Sequence, residues 1–251
     1  MASYESFAQV YDIYMDNVPY SEWCRNLLSI MNKYQIPKGL MAELGCGTGK
    51  MTRLLQQEGF DMIGIDNSYD MLGIAMEQGP ADILYLCQDM REFELYGTVG
   101  AIVSVCDSMN YLPTPEDLTR VLRLANNYLD PGGIFIFDMN TEYKYAQILR
   151  DNVFAENRER GSFIWENEYD EESRINAYEL TLYMADEDGE TYHRYAEEHF
   201  QRAFTLEEIQ HAIRISGMTF VEALDVDTMG PLCDTTERMY IICREQGKEA
   251  L

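Results

Sequence analysis

Positive charge is what this chain has little of. Over 251 residues, 19 basic side chains stand against 44 acidic ones, a formal charge of −25. No lysine or arginine cluster interrupts that balance. A chain this acidic repels phosphate backbones, so nucleic acid is not expected as its main substrate. The plain role of the charge is solubility. Long apolar runs are missing too, and no stretch is long enough to span a bilayer. The start, Met1-Ala2-Ser3-Tyr4-Glu5, lacks the basic and apolar regions of a signal peptide. Six cysteines, at 24, 46, 87, 106, 233 and 243, include no CxxC pair. Cys87, Cys106 and Cys243 lie in or beside apolar runs, which suits buried free thiols in a reducing compartment better than a disulfide framework. A cytoplasmic protein is expected. Internal repeats and low-complexity linkers are absent.

Apolar and aromatic residues make up 46% of the chain. That supports one full α/β domain with a substantial core and an added cap. Residues 4 to 34 carry helical periodicity and many aromatics, and Pro37-Lys38-Gly39 then breaks the chain. From Leu40 the pattern alternates strand and helix, as in a parallel sheet covered on both faces. Strands are expected at Leu40–Leu44, Met62–Ile65, Ile83–Cys87, Ala101–Cys106 and Ile134–Phe137. Helices are expected from Lys50 to Gly59, after Ser68 as N-cap, and after Thr114 with Pro115 in its first turn.

The pattern changes after residue 150. Residues 161 to 202 read as two or three antiparallel strands with a turn at Asp186-Glu187-Asp188-Gly189. Thr205-Leu206-Glu207-Glu208 is a capping box, and Thr219–Leu224 and Met239–Cys243 are the last strands. The expected fold is a doubly wound Rossmann-like sheet, mostly parallel, with an antiparallel C-terminal edge hairpin. Residues 1–150 and 203–251 would form the core with an N-terminal helical lid, and 151–202 a small antiparallel cap insertion.

The turn Glu43-Leu44-Gly45-Cys46-Gly47-Thr48-Gly49 joins a strand to a helix. Its glycines let the backbone turn tightly and approach a ligand, beside the unpaired N–H groups of a helix start. A dinucleotide site would want G-x-G-x-x-G, with glycine where Lys50 stands and a pyrophosphate at the helix start. That fingerprint is broken, and Glu43 points a carboxylate at the ligand. S-adenosylmethionine suits better, since it has no phosphates and carries an ammonium and a sulfonium. Asp66 ends the second strand 21 residues after Gly45, where a carboxylate can take the ribose hydroxyls. Asp89 follows strand three and could accept from the adenine amine.

ELGCGTG, IGIDNSYDML, QDMREF and YLDPGGIFIFDMN together resemble the class I methyltransferase pattern over most of residues 4 to 145. FAQVYDIYMDNVPYSEW, CDSMNYL and HRYAEEHFQRAFTLEEI resemble a narrower group, the bacterial YqeM-like methyltransferases. That group is related to sugar-amine N-methyltransferases and more distantly to glycine N-methyltransferase. The resemblance implies that Gly45, Cys46 and Gly47 back the methionine part of the cofactor, with Glu43 and Gly49 of the same turn as further cofactor-binding candidates. Asp66 would hold the ribose, Asn67 and Met71 flank the adenine, and Asp89 and Met90 contact its edge and face. Asp107 would bind the methionyl ammonium, and Tyr11 would close over the site as a lid.

Methyl transfer is an in-line displacement at an already activated carbon, so alignment and exclusion of water are the main demands. No catalytic triad or base is singled out. His193 and His199 share one face of the strand near 191–202 with Tyr195, Glu197 and Gln201. That face either lines the acceptor pocket or is a polar outer surface. The two histidines lie roughly 20 Å apart along an extended strand, so no metal site is expected. Acceptor-side candidates are Tyr111, Asn140, Tyr195, His199 and Gln201. The expected acceptor is a small molecule, an amine, with the protein a monomer or homodimer and no membrane partner. The alternatives are a protein or RNA acceptor associated with the ribosome, a non-catalytic cofactor-binding regulatory module, and, more remotely, a dinucleotide oxidoreductase.

Overall fold

The computed structural model describes residues 18–158, 161–186 and 189–248. The expected lid residue Tyr11 lies outside them. In chain order the elements are α1 (Tyr20–Lys33), β1 (Leu40–Leu44), α2 (Lys50–Gln57), β2 (Asp61–Asp66), α3 (Tyr69–Gln78), β3 (Leu84–Cys87) and β4 (Val99–Ser104). A 3-10 turn (Ser108–Tyr111) follows, then α4 (Pro115–Tyr128), β5 (Leu129–Asn140) and a π-helical turn (Lys144–Leu149). Next come β6 (Val153–Arg158), β7 (Gly161–Asp170), β8 (Ile175–Ala185), β9 (Tyr192–Arg202), α5 (Leu206–Ile215), β10 (Thr219–Asp225) and β11 (Arg238–Arg244).

Seven strands form one sheet in the order β10-β11-β5-β4-β1-β2-β3. β5 through β3 are parallel, and β11 runs antiparallel between β5 and β10. Period-two alternation sends successive residues of each strand to opposite faces. Ala42, Phe135, Phe137 and Ile241 face α4 and α5, meeting Leu118, Val121, Leu122, Ile209 and Ile213. Met41, Ile134, Ile136 and Ile242 face α1 and α2, meeting Trp23, Leu27, Met51 and Leu55. Both faces are covered, so the central strands are largely apolar, with the buried Glu43, Ser104 and Asp138 toward their carboxyl ends.

The helix starts follow the sequence signals. Thr114 Oγ1 accepts from Asp117 N at 3.1 Å, and Ser68 Oγ accepts from Met71 N at 3.3 Å. At Thr205 both bonds of the capping box form, at 3.2 and 2.9 Å.

Other expectations need correction. β5 begins five residues before Ile134, because Leu129 already pairs with Val99 and Asp130-Pro131-Gly132-Gly133 bulges out between that pair and Ala101–Ile134. β4 stops at Ser104, not Cys106, because Cys106 and Asp107 turn into the left-handed region at φ 63° and 54°. β3 starts at Leu84. The second sheet has four strands, β6-β7-β8-β9, and opens at Val153. β6 carries no clear strand signal in the sequence because its alternation is weak; five of its six residues are polar or exposed. Among the described residues no helix is long and apolar enough to cross a membrane.

Candidate active site

The carboxyl ends of β1, β2, β3 and β4 open on a cavity of about 540 Å³, and β8 and β9 of the second sheet close over it. The floor is built by short loops. After β1 the chain reverses through Gly45, Gly47 and Gly49 at φ 70°, 53° and 75°. Gly45 N and Cys46 N donate to Ile65 O at 2.8 and 3.0 Å, stapling the turn to β2. A Cβ at Gly45 would stand 2.6 Å from Ser108 Cβ and Oγ, so the close approach of the β4 loop demands glycine there. Gly49 is demanded by packing rather than by the cavity, since its Cβ would meet Tyr85 Oη at 2.5 Å.

Acids dominate this floor, with Lys50 and Arg91 as basic residues beside them. Glu43 is 1% exposed, and its carboxylate accepts from the Thr52 hydroxyl. Burial pushes its pKa up to about 8, the Thr52 bond notwithstanding. Asp66 accepts from Gly47 N and Ser68 N, each at 2.8 Å, while burial raises its pKa despite those bonds. Asp89 is chelated by Arg91, with Nη2 to Oδ2 at 2.5 Å and Nε to Oδ1 at 3.0 Å, which holds its pKa low. Asn67, Met71, Met90, Lys50 and Tyr20 complete the floor. Lys50, where a dinucleotide fold would carry glycine, lies against the Tyr20 ring at 4.8 Å. The buried Glu43 and half-buried Asp66, in no ion pair among the described residues, fit a ligand bearing ammonium and sulfonium and disfavour a pyrophosphate.

The floor joins the roof through Asp107. Its Oδ1 accepts from Arg238 Nη2 and its Oδ2 from Gln201 Nε2, each at 2.6 Å. Arg238 also donates to the fully buried Asp138 at 3.0 Å, and Asp138 accepts the N–H groups of Cys106 and Asp107 at 3.1 and 2.7 Å. This carboxylate clamp explains how two consecutive non-glycine residues stay in the left-handed region. Burial works against the Arg238 charge, but Asp138 and Asp107 outweigh it and hold the guanidinium protonated. Asp107 was expected to bind the methionyl ammonium; in the structure each of its oxygens already has a donor from the protein.

The roof contributes Tyr178, Leu180, Glu197 and His199. Tyr178 pairs with His199 and Leu180 with Glu197 across β8 and β9, so the four side chains share one face. The face of β9 that sequence left open between pocket and outer surface is turned to the cavity at these positions. Tyr111 rises from the floor to meet it, its Oη 2.6 Å from Tyr178 Oη and 3.3 Å from His199 Nδ1. His193, on the same strand, is exposed and pairs with Asp186 at 3.4 Å, away from the cavity. Among the described residues no cluster is placed to hold a metal ion.

Twelve expected residues face the cavity: Glu43, Gly45, Cys46, Gly47, Asp66, Asn67, Met71, Asp89, Met90, Asp107, Tyr111 and His199. Gln201 sits just behind, accepting from Tyr145 Oη at 3.1 Å while holding Asp107. Asn140 does not line the cavity. It is buried, with its N–H donating to Asn110 Oδ1 at 2.9 Å, and it supports the turn from below. Tyr195 packs against Leu182 instead. Arg238, Asp138 and Tyr178 were not foreseen. Their positions depend on pairing of β11 with β5 and of β8 with β9, and no local motif announces either register.

Fold and floor define an α/β protein that binds a nucleoside-bearing cofactor at the carboxyl ends of its parallel strands. Comparison with known proteins agrees. Residues 41–133 match the family model of a methyltransferase domain. The YqeM methyltransferase homologue of Bacillus subtilis (strain 168) is 34% identical over 217 residues, 85% of each chain. A crystal structure of an S-adenosylmethionine-dependent methyltransferase from Clostridium acetobutylicum ATCC 824 superposes with a TM-score of 0.87 at 26% identity, covering 97% of this chain and 99% of that one. A dTDP-3-amino-3,4,6-trideoxy-alpha-D-glucopyranose N,N-dimethyltransferase of Streptomyces venezuelae is 28% identical over 133 residues, 52% of this chain and 56% of that one. The chain belongs to the YqeM-like class I S-adenosylmethionine-dependent methyltransferases. S-adenosylmethionine is its cofactor.

Proposed function

We propose that the protein methylates a small-molecule amine in the cytoplasm. The observation that carries this reading is the roofed cavity, whose acceptor end is walled by Tyr111, Tyr178, Glu197 and His199. A cavity of about 540 Å³ shared with the cofactor leaves room for a small acceptor and little for a folded protein or an RNA helix. An acidic, aromatic wall favours a cationic amine over a carboxylate. The sugar-amine activity named for the Streptomyces venezuelae relative points the same way.

Bound S-adenosylmethionine supplies a methyl carbon activated by its sulfonium. The chain's own residues do the positioning. Gly45, Cys46 and Gly47 back the methionine part, Asp66 takes the ribose hydroxyls, and Asn67, Met71, Asp89 and Met90 surround the adenine. The Asp107 carboxylate, fixed by Arg238 and Gln201, has acceptor capacity left for the methionyl ammonium. The second sheet covers the reacting end. Incubating the protein and cofactor with a panel of amines, carboxylates and phenols tests the reading. Turnover of amines is expected, and turnover confined to carboxylates or phenols would overturn it.

A further inference from the structure

We propose that Glu197 and His199 form the acceptor seat: Glu197 pairs with a protonated amine, and His199 takes the proton that the nitrogen must lose before it attacks. This rests on the amine reading above and assigns it a site. The Glu197 side chain is 6% exposed, and among the described residues neither of its carboxylate oxygens accepts a hydrogen bond. A buried carboxylate without donors is costly unless a cation arrives to neutralise it. His199 Nε2 stands 3.3 Å from Glu197 Oε2, within ion-pair range once the imidazole is protonated. Both residues line the cavity that begins at the glycine turn.

The surroundings suit an ammonium. Tyr178 stacks on the His199 ring at 4.7 Å, and Tyr111 meets it edge-on at 5.9 Å. Aromatic faces beside a carboxylate hold organic cations by ring quadrupole and charge together. The Tyr111 hydroxyl, 3.3 Å from His199 Nδ1, fixes the ring and leaves Nε2 on the Glu197 side. Arg238, the cation nearest Asp107, is already engaged by two carboxylates, so it does not compete for Glu197.

In the transfer step an N–H bond of the ammonium breaks and its proton passes to His199 Nε2, giving an imidazolium that Glu197 balances. The nitrogen keeps the electron pair and forms the bond to the methyl carbon. The methyl–sulfur bond breaks with its pair left on sulfur, so the products are a methylammonium and a neutral thioether. The imidazolium proton then leaves to solvent. A monomethylated product still carries an N–H, so the same seat serves a second round.

The test uses the whole protein. A panel of primary amines (amino sugars, diamines and amino-acid amides) is assayed with S-adenosylmethionine. The best member becomes the probe for calorimetric binding in the presence of S-adenosylhomocysteine. Glu197→Gln should weaken binding of that amine roughly tenfold or more, with cofactor affinity unchanged. His199→Asn keeps the carboxylate, so the amine still binds, but kcat/KM should fall by about 100-fold or more and lose the rising limb of its pH profile. Tyr111, Tyr145 and Tyr178, with Cys106 and Asp107 on the floor, are the other titratable groups facing this seat, so each profile is compared with wild type. Wild-type amine affinity in Glu197→Gln, or a wild-type pH profile in His199→Asn, overturns the seat while leaving the amine reading intact. A wild-type protein that methylates no amine overturns the amine reading, and the seat with it.

Discussion

Most bonds that hold the cofactor half of the cavity reach a short way along the chain. Ser68 N reaches back two residues to Asp66, Arg91 two to Asp89, Thr52 nine to Glu43 and Gly47 N nineteen to Asp66. The acceptor half is held across 67 residues from Tyr111 to Tyr178, 88 from Tyr111 to His199 and 94 from Gln201 to Asp107. Arg238 reaches Asp107 across 131. The floor is therefore a set of local loops at strand ends, and it persists wherever those strands pair. The roof exists only when two sheets dock, so its lining can change without disturbing the cofactor. That separation lets one cofactor site serve different acceptors.

Substitutions at the joint between the halves should have the largest effect. Arg238→Met leaves the buried Asp138 and the half-buried Asp107 without their cation, which should cost about 3–5 kcal/mol of stability in urea unfolding. Unchanged stability would mean that the Arg238 ion pairs do not hold the β4 loop to β5. Next comes the floor alone. Gly45→Ala must adopt φ 70° and displace Ser108, so cofactor affinity should fall by about 2–4 kcal/mol in calorimetry. Gln201→Leu cuts the roof bond to Asp107, a charge-assisted contact worth about 1.5–3 kcal/mol. Because Arg238 still holds Asp107, it should raise the KM of the acceptor more than it weakens cofactor binding; equal losses in both would erase the distinction between the halves.

The smallest effect concerns Glu43. With its pKa raised to about 8 by burial, it is largely protonated at neutral pH, and a cationic ligand should ionise it. Calorimetry of S-adenosylmethionine binding at pH 7 in buffers of different ionisation enthalpy should register up to about one proton released, and none in Glu43→Gln. The same raised pKa sets the sign for folding without cofactor. The folded state binds this proton more tightly than the unfolded one. The stabilisation is therefore complete below about pH 4 and is lost as pH rises through about 8.

The floor is legible in the sequence because its signals are local. Glycines at 45, 47 and 49, the acids ending strands and the caps at Ser68 and Thr114 act within a few residues of themselves. The roof is legible only in part. Alternation puts His199 and Glu197 on one face of a strand, yet leaves open which way that face looks. Tyr178 and Arg238 carry no local signal, and Asn140 and Tyr195, named from their positions, support the walls from behind.

The order of amino acids was enough for the methyl donor's turn, the alternation of strands and helices, and the antiparallel character of residues 161 to 202. Backbone sterics and hydrophobic period act over short stretches, so they survive in the chain without its fold. It took the assembled fold to turn β9 toward the strand ends, to lock Asp107 and Asp138 together through Arg238, and to bury Glu197 with no hydrogen-bond donor among the described residues. Those outcomes depend on strand register and on the docking of two sheets, and burial and charge pairing exist only once distant segments have met.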